Sequence, residues 1–555
     1  MKRVTLLVLG ICLLVPAFAC TNFLVGKEAS ADGSTIISYA ADSYSLYGFL
    51  HFRPAADHPE GSMREVTDWD TGRPQGSIPE VAHTYNVVGN MNEHQLTIGE
   101  TTWGGREALW DTVGIDYGSL IYIALERCKT AREAIDCMVS LVEEYGYASE
   151  GETFSIGDPN EIWIMDMIGK GKGQKGANWV ALRVPDDCIC AHANQARITT
   201  LPLKAKHVTK GNRVITKDGN AMWSKDVISF AREKGFFTGK DEEFNYQAAY
   251  APYDFTGLYI CEARVWSFFR HFSDEMDQYF DFASGKTFLE TGGKDAGKPM
   301  PLYFQPNRKV SVQDIKDCMR DHYDGTPLEI TKGEASGPWN SKLRYGKLGF
   351  QLDSVQYWYE RPTATQQTGW SFVAQMRGYE SAKTGGIFWF GVDDAATNVY
   401  VPIYPTINRI PDCFREGNGD FLHFSWSSAW WVFNVVANWS YSKYSAMRPE
   451  ITERQQKWEQ HFAEKVDEVD KLFAENKPEK PNAYLEKVVL TESQALLRDW
   501  QDLAVYLFVK YLDGQEKKVK DGKFEEGPYG GAAYPNRPAY PEEYLRTIAP
   551  HVAHE

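Results

Sequence analysis

The chain opens on a basic start, Lys2 and Arg3, followed by an apolar run from Leu6 to Val15. That run is too short to span a membrane. With the small-x-small step Ala17-Phe18-Ala19 behind it, it reads as a secretion signal over residues 1–19, cut before Cys20. From Thr21 to Val25 the pattern becomes that of a strand. Lys27–Gly33 is a turn ending in Asp32-Gly33, and Thr35–Tyr39 is the returning strand. A second hairpin is predicted over Tyr85–Asn92 and Leu96–Thr101. Helices follow at Ser119–Cys128 and Ala131–Tyr145, the second opened by a capping box of Thr130 and Glu133. Strands are predicted at Thr153–Ile156, Glu161–Met167, Ala177–Val184 and Cys188–Ala193. Paired strands, paired helices and further strands describe a layered α+β sandwich.

Past Gln195 the pattern predicts charged linkers and a helix at Glu262–Phe272 that carries Arg264. It then predicts a loop-rich stretch from Ala283 to Gly325 and an all-β stretch from Leu348 to Pro405. Trp458, Phe462, Val466, Val469 and Phe473 recur at helical spacing until Lys477–Pro481 stops them. Leu496, Trp500, Leu503 and Leu507 mark another helix, with Thr491 and Gln494 as its capping box. The two are expected to form an antiparallel pair packed on the body of the protein, followed by an irregular Tyr/Pro/Gly-rich tail over Pro528–Pro541. The expected division is therefore a signal at 1–19, a main domain at 20–445, and a helical extension with its tail at 446–555.

Composition narrows the partners. A formal net charge of −16, which loses Lys2 and Arg3 with the signal, argues against nucleic acid and anionic membrane. Trp426–Trp439, the richest later apolar run, is too short and too polar to insert, so no membrane insertion is expected once the signal is gone. Of nine cysteines, Cys12 leaves with the signal. If Cys20 is a free nucleophile, the odd number that remains cannot all pair within the chain. Cys188 and Cys190, two apart on a strand, point the same way, as core thiols or as partners of other cysteines.

Candidate chemistry centres on Cys20. Cleavage before it places a thiol and a free α-amine on one residue. The amine, with a pKa of about 7.7–8.0, can accept the proton of a thiol near 8.5. The strand that follows directly leaves no flexible tether for a lipid anchor, and Phe18 is bulky for a lipid-attachment signal. An acylated Cys20 on a non-enzymatic binding protein nevertheless stays open as a reading, as does an ordinary residue left by cleavage. Gly171-Lys172-Gly173-Gln174-Lys175-Gly176 matches G-x-G-x-x-G by letter, but a strand follows where a phosphate site needs a helix, so it reads as a hairpin tip. The sequence holds no H-E-x-x-H and no G-x-S-x-G, and its twelve histidines give no metal-ligand spacing. No cofactor is expected.

At Ala19-Cys20-Thr21 and Leu24-Val25-Gly26-Lys27-x-x-Ser30-x-Asp32-Gly33-Ser34-Thr35 the chain resembles the dipeptidases of the PepD type. These are cysteine peptidases of the N-terminal-nucleophile hydrolase superfamily, related to penicillin V acylase and bile salt hydrolase. The resemblance continues at Asn90–His94, Gly99–Thr102, His192–Ile198, Arg264-Val265-Trp266, Phe390-Gly391 and Val401–Tyr404. It implies a four-layer αββα sandwich and an exported enzyme, periplasmic or extracellular, that splits dipeptides through a thioester on Cys20. Asp42 would orient the α-amine, and Thr102 (backbone N–H) and Asn194 (side-chain amide) would form the oxyanion hole. Arg264 would stand near the thiol and favour thiolate. Many relatives carry Arg three residues before this Asp, where this chain has Tyr39. Each position also has a plainer reading: Asp42 as a turn cap, Asn194 as a turn former, Arg264 as an ordinary ion-pair residue, Glu93 and Glu100 as solvated hairpin positions. An acylase-type amidase is the alternative activity. Self-association and side-chain preference stay open.

Overall fold

The computed structural model describes residues 20–552, so the expected signal lies outside the described residues. The first hairpin forms as its pattern predicts, from β1 (Thr21–Val25) and a longer β2 (Thr35–Asp42), every residue of both buried. The second hairpin differs. Its first arm breaks into Val87–Val88 and Met91–Asn92, and its second extends as β3 (Thr97–Trp103). The break is local chemistry. Gly89 takes φ +58° with the Phe388 ring filling the space of a Cβ, and Asn92 Nδ2 donates to the carbonyls of Leu125 and Cys128.

Helices α1 (Tyr117–Arg127) and α2 (Ala131–Tyr145) follow, α1 capped by Asp116 and α2 by the expected box of Thr130 and Glu133. Then come β4 (Gly151–Gly157), β5 (Ile162–Gly169), β6 (Ala177–Val184) and β7 (Ile189–His192). The Gly171–Gly176 run turns between β5 and β6, with Gly171, Gly173 and Gly176 all at positive φ. A π-turn over Gly257–Glu262 leads into α3 (Ala263–Arg270). The stretch expected to be loop-rich holds α4 (Val312–Cys318), capped by Ser311 and Asp314. The β-rich region supplies β8 (Thr368–Met376), β9 (Gly386–Val392) and β10 (Val401–Ile403).

Two antiparallel sheets carry the fold. One has seven strands in the order Tyr303–Phe304, β7, β1, β2, β8, β9, β10. In the other, of ten strands, β6, β5, β4 and β3 lie side by side, and Met91–Asn92 pairs β3 on its far edge at Thr97. The two-residue period of β1 divides its contacts between the layers. Phe23 stacks on Phe268 of α3, ring centroids 4.0 Å apart, while Asn22 Nδ2 donates to the Glu100 carbonyl of β3 at 2.5 Å. On the ten-stranded sheet's other side, Leu120, Ile123, Ile135 and Met138 of α1 and α2 share a core with Phe154, Trp163 and Met165.

The C-terminal part is more continuous than its pattern suggests. α5 (Ala429–Tyr441) occupies the apolar run around Trp430, and α6 (Tyr444–Ala474) begins well before Trp458. α7 runs unbroken from Pro481 to Lys510. Thr491 and Gln494 therefore lie inside α7 and cap nothing. Pro481, with φ preset and no N–H to satisfy, starts that helix instead. α6 and α7 are antiparallel: Trp458 Nε1 donates to Asp499 at 2.7 Å, His461 meets Glu492 at 2.8 Å, and Tyr506 donates to Glu450 at 2.8 Å. Among the described residues no helix is long and apolar enough to cross a membrane, and the eight cysteines there are free thiols.

A buried ion pair fastens α6 to the body. Arg320, just past α4, donates to Glu459 at 2.5 and 3.1 Å, and Gln313 donates to the same carboxylate at 3.2 Å. Burial alone would raise the Glu459 carboxyl; Arg320 and Lys316 hold it below the ordinary range. Arg320→Met leaves that carboxylate buried without its main partner, so unfolding stability is expected to drop by about 3–5 kcal/mol. Chemical denaturation measures this, and an unchanged midpoint would mean that water reaches the pair.

Candidate active site

Cys20 heads β1 and is 5% exposed. The register that sets Thr21 opposite Ala40 brings it beside the end of β2, where the β2–β8 ladder shifts between Ala41 and Asp42. That irregularity aims Asp42 into the protein. Its Oδ2 accepts from Arg361 Nη2 and its Oδ1 from Thr368 Oγ1, both at 2.6 Å. Its carboxylate is thus engaged across the fold by two residues that sequence patterning did not single out, and it caps no turn.

Arg264 is fully buried on α3, not a surface arginine. Nη1 donates to the Cys20 carbonyl at 2.6 Å and to Thr21 Oγ1 at 2.7 Å, and Nε donates to the Ile260 carbonyl. Nη2 donates to the Ala193 carbonyl and to Asn194 Oδ1, the latter at 2.9 Å. The guanidinium therefore grips the backbone of the cysteine rather than its sulfur, and it also fixes the orientation of the Asn194 amide.

Asn194 sits in a bend at φ +59°, a left-handed conformation that asparagine tolerates. It is a turn former, and its side chain is also held in place: with Oδ1 taken by Arg264, Nδ2 donates to the Thr102 carbonyl at 2.6 Å. A primary amide has two N–H donors, so one is left for another acceptor. In a strand the N–H and C=O of one residue point to the same side. The N–H of Thr102 consequently faces the side on which Asn194 lies. Beyond Thr97 no strand among the described residues pairs with β3 on that side. Two donors, one from each residue, converge at an open strand edge next to Cys20.

The surroundings of the thiol are acidic. Glu100 Oε1 lies 3.8 Å from Cys20 Sγ, and the Tyr39 hydroxyl lies 3.5 Å from Sγ and donates to Glu100 Oε1 at 2.5 Å. Burial, then the charges of Glu100 and Asp42, pushes the Cys20 thiol well above its usual range. Glu100, 2% exposed, is not a solvated hairpin residue, and burial pushes its carboxyl up to about 7. Next to it Glu152 is driven well above the carboxylate range by burial and by the charge of Glu100, while Thr102 Oγ1 donates to its Oε1 at 2.7 Å. Glu93 stays at the hairpin, half-buried, accepting from the Asn86 N–H.

A nearby histidine is not placed to serve the thiol. His192 Nδ1 meets Thr101 Oγ1 at 2.7 Å and Nε2 meets Ser155 Oγ at 2.6 Å, and burial lowers its pKa well below the ordinary value. It cross-links the two sheets as a neutral ring. Sequence reasoning brought Cys20, Asp42, Thr102, Asn194 and Arg264 to one locality. It missed Arg361, Thr368 and Glu152 and misread Glu100. The available signal for Glu100 was its place in Gly99-Glu100-Thr101-Thr102, two residues before a candidate oxyanion donor.

The family model described as peptidase family C69 matches residues 19–52 and 50–457. A probable dipeptidase of Latilactobacillus sakei is 23% identical over 477 residues, 82% of this chain and 88% of the relative. A probable dipeptidase of Salmonella dublin is 25% identical over 427 residues, 72% of this chain and 83% of the relative. A dipeptidase of Bifidobacterium longum is 26% identical over 424 residues, 71% of this chain and 72% of the relative.

Proposed function

The chain belongs to peptidase family C69, and from that premise we propose that it is an exported cysteine dipeptidase whose nucleophile is the N-terminal Cys20 of the processed protein. The observation that carries the reading is the convergence on Cys20. Arg264 clamps its carbonyl and orients Asn194, whose amide stands with the Thr102 N–H at the open edge of β3. The stacking of α1 and α2, the ten-stranded sheet, the seven-stranded sheet and α3 supports the αββα sandwich of N-terminal-nucleophile hydrolases.

In this mechanism the Cys20 α-amine takes the Sγ proton as sulfur attacks the carbonyl carbon of the first residue. A C–S bond forms, and the carbonyl electron pair moves onto oxygen, where Asn194 Nδ2–H and the Thr102 N–H receive the charge. Collapse breaks the C–N bond, and the ammonium of Cys20 returns its proton to the departing amine. Water then adds to the thioester, and the first amino acid leaves as the thiol is restored. His192, its ring nitrogens taken by Thr101 and Ser155, is not placed to act as the base in this step. Export rests on the Lys2–Ala19 pattern, and the mass of the mature N-terminus tests it: a free Cys20 supports the reading, and an acylated one would make the protein a lipid-anchored binder.

A protein that retains Met before Cys20 has an amide nitrogen where the base should be. It is expected to be inactive on dipeptides and to gain activity when an aminopeptidase removes the Met. Full activity with the Met in place, checked by intact mass, would sink the mechanism.

A further inference from the structure

Glu100 and Glu152 are two neighbouring buried carboxyl groups beside Cys20. Both are buried, and neither forms an ion pair with any basic residue among the described residues, where Glu262, Glu459 and Asp42 each have an arginine. Buried carboxylates are seldom left that way. The nearest guanidinium groups are committed elsewhere, Arg264 to Cys20 and Asn194 and Arg361 to Asp42. Oε2 of Glu100 and Oε2 of Glu152 are buried and receive no donor from any other described residue; the two carboxyl groups hydrogen-bond to each other, Glu152 keeping the proton. Tyr39 orients Glu100 without cancelling its charge, because a phenol brings a donor and no cation. The result is a carboxyl group that burial pushes up to about 7 and that, when ionised, stands as a negative charge against Cys20 and makes its thiol harder to ionise.

We propose that Glu100 receives the α-ammonium of the residue on the N-terminal side of the scissile bond, and so makes a free amino terminus a requirement of the substrate. The inference rests on Cys20 being the nucleophile. Bond geometry supports the placement. In any peptide the α-nitrogen lies about 2.5 Å from the carbonyl carbon of its own residue. When that carbon approaches Sγ, the ammonium must lie within a few ångströms of the sulfur, which is where Glu100 Oε1 stands, 3.8 Å away. The arriving ammonium gives Glu100 a cationic partner, which favours its ionised form, and it neutralises the charge that opposes thiolate formation. Binding and activation of the nucleophile are thus coupled to the same group on the substrate.

The test compares alanyl-alanine with propionyl-alanine, which has the same shape and no ammonium, on the processed wild type and on Glu100→Gln. An ammonium also makes its neighbouring carbonyl more electrophilic, so the wild-type preference alone decides nothing; the change in preference does. The ratio of kcat/KM values is expected to exceed about 100 in the wild type and to fall by at least about tenfold in Glu100→Gln, the scale of a desolvated charge pair. A second readout is the alkylation of Cys20 by the neutral reagent iodoacetamide, expected to be faster in Glu100→Gln because a repelling charge is gone. An equal loss on both substrates would overturn the proposal and assign Glu100 to the enzyme's own α-amine. If Glu100→Gln does not fold, Glu100→Asp keeps the charge and withdraws it. It should raise KM for alanyl-alanine and retain the preference for it, and an unchanged KM overturns the proposal. Cleavage of acyl amides but not of alanyl-alanine by the wild type would instead overturn the dipeptidase reading itself.

Discussion

Cys20→Ala is expected to lower kcat on a dipeptide by on the order of 10⁶, the scale of removing the nucleophile from a covalent hydrolase. Cys20→Ser is expected to fall between that variant and the wild type. Serine keeps the size of the side chain and the neighbouring amine, but its hydroxyl is much harder to deprotonate than a thiol. The surroundings make the contrast sharper. Glu100 and Asp42 oppose a negative charge on residue 20, so an oxygen nucleophile gains no help from the site. Both variants should fold as the wild type does, because the Arg264 clamp runs through the Cys20 carbonyl and Thr21, which the substitutions leave in place, and only the long Sγ contacts with Tyr39 and Glu100 change. Kinetics on proteins with N-termini verified by mass would check this. Near-normal rates in both variants would reduce Cys20 to a residue left behind by signal cleavage.

Asn194 gives the second large effect, and its backbone allows two roles to be separated. Asn194→Ala should lower kcat by about 10²–10³-fold with little change in KM, as expected for a donor that acts on the developing oxyanion. Alanine at φ +59° also strains the bend, at roughly 1–2 kcal/mol of stability. Asn194→Gly removes the same amide without that strain, since glycine visits positive φ freely. The two variants should therefore lose kcat alike and differ in unfolding midpoint. If Asn194→Gly keeps its full kcat, the residue only shapes the turn, and the amide held by Arg264 has no part in the chemistry.

How much of this could be read from the sequence depended on the range of the signal. The β1–β2 hairpin, the capping box of α2 and the glycine-lysine tip between β5 and β6 are set by residues a few positions apart, and each appears where its pattern places it. The start of α7 was misplaced because Thr491 and Gln494 copy a cap by spacing alone, whereas Pro481 and the apolar positions Leu485 and Val489 show a helix already under way. Glu100 looked like a solvated hairpin residue because its burial comes from the opposing sheet, through Asn22 and Tyr39. Arg361 lies in an irregular stretch with no periodicity, and its pairing with Asp42 spans most of the chain. Tyr39 was noticed as a departure. Its use, to aim a carboxylate that an arginine would have neutralised, needed the third dimension.

The position of the first hairpin in the seven-stranded sheet also bears on how the molecule comes to exist. β1 and β2 sit near the middle of that sheet, yet Asn22 waits for His192 and Ala40 waits for Ser371 before either outer edge of the hairpin is closed. Pairings so distant in sequence form slowly, because each must close a long loop of chain before it gains anything. Until residue 376 is available, the strand that follows Cys20 is one half of an apolar ribbon with an open edge, the type of surface on which chains aggregate. A hairpin that finds its outer neighbours only at residues 189–192 and 368–376 gains by staying unpaired until both have been made. Its folding rate should be set by the arrival of β8 rather than by the helices, which close locally and early.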